Sequence, residues 1–544
     1  MPLSPGPGTT WAHAPVVALV LGVLLVSLYD TGLARSRYPY LADSASYIEM
    51  ATSLRTDGRP RVTPWDVGPG GTDAVPQPLF PPGFALVVAA LVPAAGDART
   101  AALIPSRVAA ALLPFLLVVM WRGAAPPSVL LSLGLWVLIS PGVREWQFVA
   151  YSDVTGLALA VIALGALARP LIAADPNRAA CGWWLAGGFA AGLCYAVRNA
   201  GLAVLAASAA MLFYARLRSL IATRALTLWA LGATPPLAAL AAYNLATFGK
   251  IQPYDMPASF RAWTVNVVDY AGAQLEDLGL PLPIGAALPG VALVALLGLL
   301  IAAVFAAWWR TREDRPRHAL LSLLFLYVVA GGTLLVASRS RYEWANFIDG
   351  RNVLQYSFAL ALALLTAARA VMSARAQRWG AIALLAMLTA SGAGAAREAL
   401  GAYRAPPEPW LALSRDAAVM TAARELPAAA LIASNAAPLF RIAAPRPVRQ
   451  LDLGGDDRDF TDSLARLKAA AGPRPSTFLL VCDEWTEGLS PCRGVAAAAG
   501  LACARLRAAV PVVARCALAD DGGPQPQGLQ PAEVSGATTA PAAS

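Results

Sequence analysis

The sequence predicts a polytopic α-helical membrane protein of about eleven spans, with a small α/β domain at its C-terminal end outside the membrane. Three observations predict it. Hydrophobic residues fill 57% of the 544 positions and charged residues only 14%, whereas a soluble domain carries about 25% charged residues. Most apolar residues are gathered in runs of about 20, the length that crosses a bilayer core of about 30 Å. The net charge of +9 is almost wholly arginine, and the arginines fall between the runs.

The first run, 14–34, is followed by no small-residue cleavage site, so it reads as a retained span rather than a removed signal. The next runs are 101–123, 127–146 and 147–168. The run 182–214 is too long for one span, since about 33 residues at 1.5 Å each make roughly 50 Å. Arg198-Asn199-Ala200-Gly201 lies in its middle, which predicts two short helices meeting at the membrane surface. The remaining runs are 223–246, 286–308, 319–338, 353–371 and 379–396. Arg122, Arg169, Arg216, Arg224, Arg315 and Arg378 mark alternate short loops. Under the positive-inside rule those loops and the amino terminus are cytoplasmic. The opposite face then holds 35–100, the 144–153 corner, 247–285, 339–352 and everything after 397.

The tail changes character. ALIASN, TFLLVCD and PVVARCALA read as short buried strands, and LSRDAAVMTAARELP and FTDSLARLKAAAG as helices. The expected division is a membrane module over 1–396, an outer α/β domain over 397–520 and a disordered, low-complexity tail over 521–544. Cys482, Cys492, Cys503 and Cys516 lie in the outer domain. In an oxidising compartment they permit two disulfides; the alternative is four small buried thiols.

Several function classes are excluded early. The arginines form no single patch, so nucleic acid is not an expected partner; membrane lipids are. No P-loop or dinucleotide fingerprint is present. The only histidines are His13 and His318, which argues against a His-rich metal site.

The most informative segment is the loop 35–100. In YLADSASYIEMATSL, Tyr47, Met50, Ala51 and Leu54 form one apolar helix face, just after the carboxylate of Asp43. Asp43 can be a simple N-cap, and Ser46 to Glu49 fits a capping box. A second amphipathic helix, PLFPPGFALVVAALVPAAG, opens through Pro81-Pro82. The apolar face of the first helix is expected to rest on the membrane, and two such helices beside one acid to roof a cavity at the outer membrane face.

These features resemble the membrane glycosyltransferases of the GT-C fold. The branches they look like are the protein O-mannosyltransferases, the lipid A aminoarabinose transferase and the lipopolysaccharide-core sugar transferases. The resemblance lies in the acid with Tyr four residues on, the PPG helix and Arg-Val-Ala-Ala opening the second long span. It continues in YSDVTGLALA, GFAAGLCYAVRNAG, RNVLQYSFALALA and ALIASNAAPLFRIAA. It covers nearly the whole chain, and the order and spacing of the motifs give it weight.

The resemblance implies a bacterial inner-membrane enzyme that moves a sugar from a polyprenyl-phosphate carrier to a lipid, glycan or protein acceptor on the periplasmic side, with inversion. Asp43 is then the general base, Asp153 a second catalytic acid, and Arg198 and Arg351 the holders of the carrier phosphate. The residues themselves leave alternatives open. Asp153 fits an interfacial cap in an aromatic belt with Trp146, Phe148 and Tyr151. Arg198 fits a snorkelling cation, and Arg351 a loop charge near Asp349. Arg339 and Arg341 are further outer-side cations. The chain also departs from the family pattern. Ser44 stands where several relatives carry a second acid, which puts a metal site built on that acid in doubt and leaves a divalent metal an open cofactor, and Asn352 follows the late arginine in place of Tyr. Asp457-Arg458-Asp459 mimics a nucleotide-sugar motif but sits in the outer domain. A transporter of lipid-linked glycans and a non-catalytic membrane protein with an outer binding domain are the competing classes.

Two outcomes follow from the sequence. Reporter fusions after residues 124, 220 and 315 are expected to read cytoplasm and one after 400 periplasm; a cytoplasmic signal at 400 contradicts the topology. Thiol labelling of denatured, unreduced protein is expected to leave at least two of the four outer-domain cysteines unlabelled.

Overall fold

The structure is a computed structural model. It describes residues 13–33, 42–62, 75–173, 175–176, 181–254, 258–259, 261–279, 290–342 and 348–371, short pieces between 393 and 401, and five strands beyond 430. Residues 1–62 with 76–408 form one compact unit, and 63–75 with 409–544 a second.

In chain order the helices are α1 (Ala14–Leu33), α2 (Ala42–Asp57), α3 (Gly83–Ala95), α4 (Ala98–Met120), α5 (Pro127–Ile139), α6 (Pro141–Trp146) and α7 (Asp153–Ile172). There follow α8 (Cys181–Val197), α9 (Leu202–Leu217), α10 (Thr223–Phe248), α11 (Trp263–Asp277), α12 (Gly290–Arg310), α13 (Arg315–Arg341) and α14 (Gly350–Val371). A 3-10 turn, Asn199–Gly201, joins α8 to α9, so the long run breaks at the predicted place. Among the described residues seven segments are long and apolar enough to cross a membrane: α4, α7, α9 with its turn, α10, α12, α13 and α14. Helices α1, α5 and α8 also fall on expected spans but are shorter as apolar stretches. The expected span 379–396 lies outside the described residues.

Two expectations are corrected. The runs 127–146 and 147–168 do not divide at residue 147. The first helix stops at Ile139, because Pro141 drives Ser140 into an extended conformation (ψ 148°). The corner 147–152 is irregular and the next helix opens at Asp153. The second correction concerns α2. Its apolar face does not rest on the membrane: Tyr47, Met50 and Ala51 are buried, and so are Ala45, Ile48 and the flanking Ser44 and Ser46. The helix packs on α3 and α4, with the Tyr47 ring edge-on to Phe84 at 4.7 Å. Ser46 and Glu49 both lie inside α2, so they form no capping box.

Small residues set the closest helix approaches. In α8, a Cβ on Gly188 would stand 2.0 Å from the Trp229 carbonyl of α10, and one on Gly192 2.5 Å from the Pro236 ring. From the other side, Gly232 faces the Leu185 carbonyl at 2.2 Å. Without a hydrophobic force between helices in lipid, this backbone-to-backbone fit is what joins them. Gly22 of α1 meets the Ala111 carbonyl of α4 in the same way, and the Asp30–Arg107 ion pair at 2.8 Å ties the same two helices.

The second unit holds a five-stranded sheet. After the two-residue strands β1 (Arg61–Val62) and β2 (Val75–Pro76) come β3 (Leu431–Ser434), β4 (Val448–Gln450), β5 (Thr477–Cys482), β6 (Leu501–Arg507) and β7 (Val512–Leu518). The sheet order is β4-β3-β5-β7-β6. Strands β4, β3 and β5 run parallel, and β7 pairs antiparallel with β5 and β6. The three strands read from sequence are β3, β5 and β7; the short β4 and the Arg-bearing β6 were not expected. The register sets Cys503 opposite Cys516. Cys492, Asp457-Arg458-Asp459, the two expected helices and the tail 521–544 lie outside the described residues.

The α8–α10 contact carries a test. Gly188→Ala places a methyl against a backbone carbonyl, so it should cost about 1–3 kcal/mol and lower the melting temperature in detergent. Gly298→Ala in α12, where nothing lies within 4 Å, should leave it unchanged.

Candidate active site

Four segments far apart in sequence meet at one point. Asp43 is in the first turn of α2, and Asp153 opens α7. Arg198 sits at the break between α8 and the 3-10 turn, and Arg351 in the first turn of α14. The Arg351 guanidinium bridges both acids: Nε donates to Asp153 Oδ1 at 3.0 Å, and Nη2 pairs with Asp43 Oδ2. Arg198 Nη1 reaches the same Asp153 Oδ1 at 2.5 Å. Two carboxylates and two guanidiniums form one linked cluster with no net charge. The four residues singled out from sequence are thus brought together.

Local sequence explains each placement. Arg198 reaches Asp153 because Gly156, one turn into α7, leaves space: a Cβ there would touch Arg198 Cδ at 3.3 Å. The break that frees Arg198 is pinned by Asn199, whose Nδ2 donates to the Leu79 carbonyl at 2.9 Å. The PPG turn docks at the same place. A Cβ on Gly83 would stand 2.4 Å from the Ala196 carbonyl, so only glycine lets α3 start so close to the end of α8.

Arg351 also lies on an aromatic shelf. Its guanidinium is 4.1 Å from the Tyr151 ring centre and 5.4 Å from that of Trp146. These two rings stack at 5.4 Å, nearly parallel. A cation over such faces gains electrostatic attraction, more so when desolvated. Asp43 N–H donates to the Tyr151 hydroxyl at 3.4 Å, and the Tyr47 hydroxyl bonds Ser152 Oγ at 2.9 Å. Burial and the nearby Asp43 charge push the Tyr47 and Tyr151 phenols up from their ordinary range. Both stay protonated near neutral pH and serve as neutral hydrogen-bonding groups.

The two acids are not equivalent. The Asp153 side chain is 0% exposed and its Oδ1 takes both arginines. Its Oδ2 has no hydrogen-bond partner among the described residues. The Asp43 side chain is 16% exposed and meets Arg351 alone of the two arginines. Asp43 is thus the acid that an incoming group can reach. Asp349 feels the Arg351 charge and accepts from Asn352 N and Nδ2. That bond occupies the position where the family pattern has Tyr. Arg339 and Arg341 sit in the last turn of α13. Among the described residues no group of three or more His, Cys, Asp or Glu could hold a metal. In this arrangement Asp43 Oδ2 and Asp153 Oδ1 are engaged by guanidiniums, and Asp153 Oδ2 is the buried carboxylate oxygen left without a partner among the described residues.

Trp146 and Tyr151 are legible in the sequence only as interfacial aromatics, whereas Tyr47 is legible as part of an apolar face and as the Tyr four residues after the acid. The missed signal is their spacing around Asp153. Asp277 was not singled out at all. It is fully buried in α11, accepts from Gly142 N at 2.7 Å, and burial pushes its carboxyl up to about 6.

No protein-family profile matches the sequence, and no curated protein does. Solved structures do resemble it. ArnT from Cupriavidus metallidurans, bound to undecaprenyl phosphate, superposes with a TM-score of 0.54 at 14% identity, covering 94% of this chain and 100% of that one. The oligosaccharyltransferase of Archaeoglobus fulgidus in its apo form gives 0.55 at 11% identity, over 87% of this chain and 70% of that one. The same archaeal enzyme, AglB, with an inhibitory peptide and a dolichol-phosphate gives 0.50 over 86% and 69%. The fold is therefore the GT-C fold of the membrane glycosyltransferases, as the sequence resemblance implied.

Proposed function

We propose that the protein is an inverting membrane glycosyltransferase of the bacterial inner membrane. It moves a sugar from a polyprenyl-phosphate carrier to a lipid, glycan or protein acceptor on the periplasmic face. The observation that carries this reading is the Arg351 bridge between Asp43 and Asp153, with Arg198 on the same acid. The neighbours support the donor class, since ArnT was crystallised with undecaprenyl phosphate and AglB with a dolichol-phosphate. We take the eleven spans, the cytoplasmic amino terminus, the module boundaries at 396 and 520 and the periplasmic C-terminal domain to belong to the same reading.

The chemistry follows from the charges. The acceptor hydroxyl oxygen attacks the anomeric carbon, and Asp43 takes its proton. The anomeric C–O bond breaks, and its electron pair goes to the carrier phosphate. A phosphate already leaves well, so it needs cations rather than a strong acid, and Arg198 and Arg351 supply them. Arg351 first has to exchange one partner. In the resting cluster it neutralises Asp43; an arriving phosphate competes for the guanidinium and releases the carboxylate to act as base. Asp153 remains the shared anchor that aims both arginines.

Three substitutions test this. Asp43→Asn removes basicity and should lower turnover by roughly 10²–10⁴-fold in a well-folded protein. It also frees Arg351, so affinity for undecaprenyl phosphate should hold or rise. Near-normal transfer would make the opening of α2 structural only. Arg198→Ala should weaken undecaprenyl phosphate binding by about 1.5–3 kcal/mol, and Lys should replace it poorly because it lacks the planar fork. Asp153→Asn is expected to differ in kind. It leaves two buried guanidiniums short of a counter-charge, which should cost about 3–5 kcal/mol and lower the melting temperature, as Asp43→Asn should not.

A further inference from the structure

Helix α6 is six residues long, too short to hold itself together in isolation. Its first-turn N–H groups therefore need outside partners. Pro141 has no N–H. Val143 N donates to Ser140 Oγ at 3.5 Å, and Arg144 N to the Ser140 carbonyl at 2.9 Å. The remaining donor, Gly142 N, goes to Asp277 Oδ1 at 2.7 Å, a bond that spans 135 residues. One carboxylate from α11 thus completes the start of α6.

The junction is crowded on three sides. A Cβ on Gly142 would stand 2.7 Å from Asp277 Oδ1, 2.9 Å from Leu354 Cβ and 3.0 Å from the Gly350 carbonyl. The last two belong to the first turns of α14. A second bond, Gln274 Nε2 to Ser357 Oγ at 2.7 Å, ties α11 to α14 directly. At its other end α6 carries Trp146, whose ring stacks on Tyr151 beneath the Arg351 guanidinium. Arg351 itself is in the first turn of α14. Asp277 therefore joins the two elements that set where Arg351 points.

We infer that Asp277 is a positioning residue for Arg351: it clamps α6 against the first turns of α14 and so fixes the aromatic shelf and the reach of the guanidinium. The inference rests on the reading of Arg351 as a holder of the carrier phosphate. A buried carboxylate is costly to maintain, and its pairing with a main-chain donor gives that cost a purpose: a bond whose length sets a distance between helices.

Two measurements on the full chain in phospholipid nanodiscs test it. Hydrogen–deuterium exchange reads the local clamp, and titration with undecaprenyl phosphate reads Arg351. Asp277→Ala should speed exchange in 140–152 and at the start of α14 while leaving α8 and α10 unchanged. It should weaken undecaprenyl phosphate about tenfold, and Asp277→Asn, which keeps an oxygen for Gly142 N, should stay within about threefold. On an Arg351→Ala background the same Asp277→Ala should add less than about twofold, because a residue acting through Arg351 has nothing left to position. Should Asp277→Ala not fold, Gly142→Ala presses on the same junction and should give the same pattern. Unchanged exchange in 140–152, or a loss that is fully additive with Arg351→Ala, overturns the inference. Wild-type protein that binds no undecaprenyl phosphate overturns the donor reading instead, and the exchange data then decide the clamp alone.

Discussion

The site depends on one cation held between two acids. Arg351 is desolvated by its neighbours, and a desolvated guanidinium persists only with charged partners. Those partners come from α2 and α7, and Arg198 adds the break between α8 and α9. Four segments are therefore held in mutual register by charge at a point where hydrophobic packing is non-directional. Because Asp153 takes two guanidiniums on one oxygen, a shift of α7 would disturb both arginines together.

The surrounding backbone is arranged to allow this. Gly156 gives Arg198 its path, Gly83 lets α3 meet the end of α8, and Gly142 admits Asp277 between α6 and α14. At Gly83 and Gly142 a Cβ would stand under 3.0 Å from its neighbours, so something would have to shift; at Gly156 it would press on the Arg198 side chain at 3.3 Å. Asn199 then bonds the break to the Leu79 carbonyl ahead of α3. The PPG turn and the broken run, read separately as two motifs, dock directly on one another.

Much of this was legible in the sequence, and the limits have physical causes. Hydropathy located the long helices, and the length of 182–214 with Arg198-Asn199 in its middle forced a break. Asp43, Asp153, Arg198 and Arg351 stood out because ionisable groups beside apolar runs are costly without a purpose. What the sequence could not show is pairing. A periodic face such as that of Tyr47, Met50 and Ala51 fits a membrane surface and a protein groove equally well, and α2 takes the groove. Pro141 is visible in the sequence, but the run 127–146 reads as one apolar stretch although it holds two helices. Asp277 gave no signal, because its role depends on a main-chain N–H 135 residues away.

The same asymmetry of burial assigns the acids their parts. A base must give up its counter-charge as it takes a proton, and it must be within reach of the acceptor. Asp153 meets neither condition, being fully buried with two arginines on one oxygen. Asp43 meets both, being partly exposed and engaged with only one. In the proposed reaction the charge of the cluster also stays constant. The proton gained by Asp43 neutralises one carboxylate while the leaving phosphate gains one negative charge beside Arg198 and Arg351. Charge therefore moves from the acid to the phosphate across the bridging guanidinium, over a short distance and among groups already oriented. This is the arrangement in which preorganised charges stabilise a transition state most in a medium of low dielectric constant.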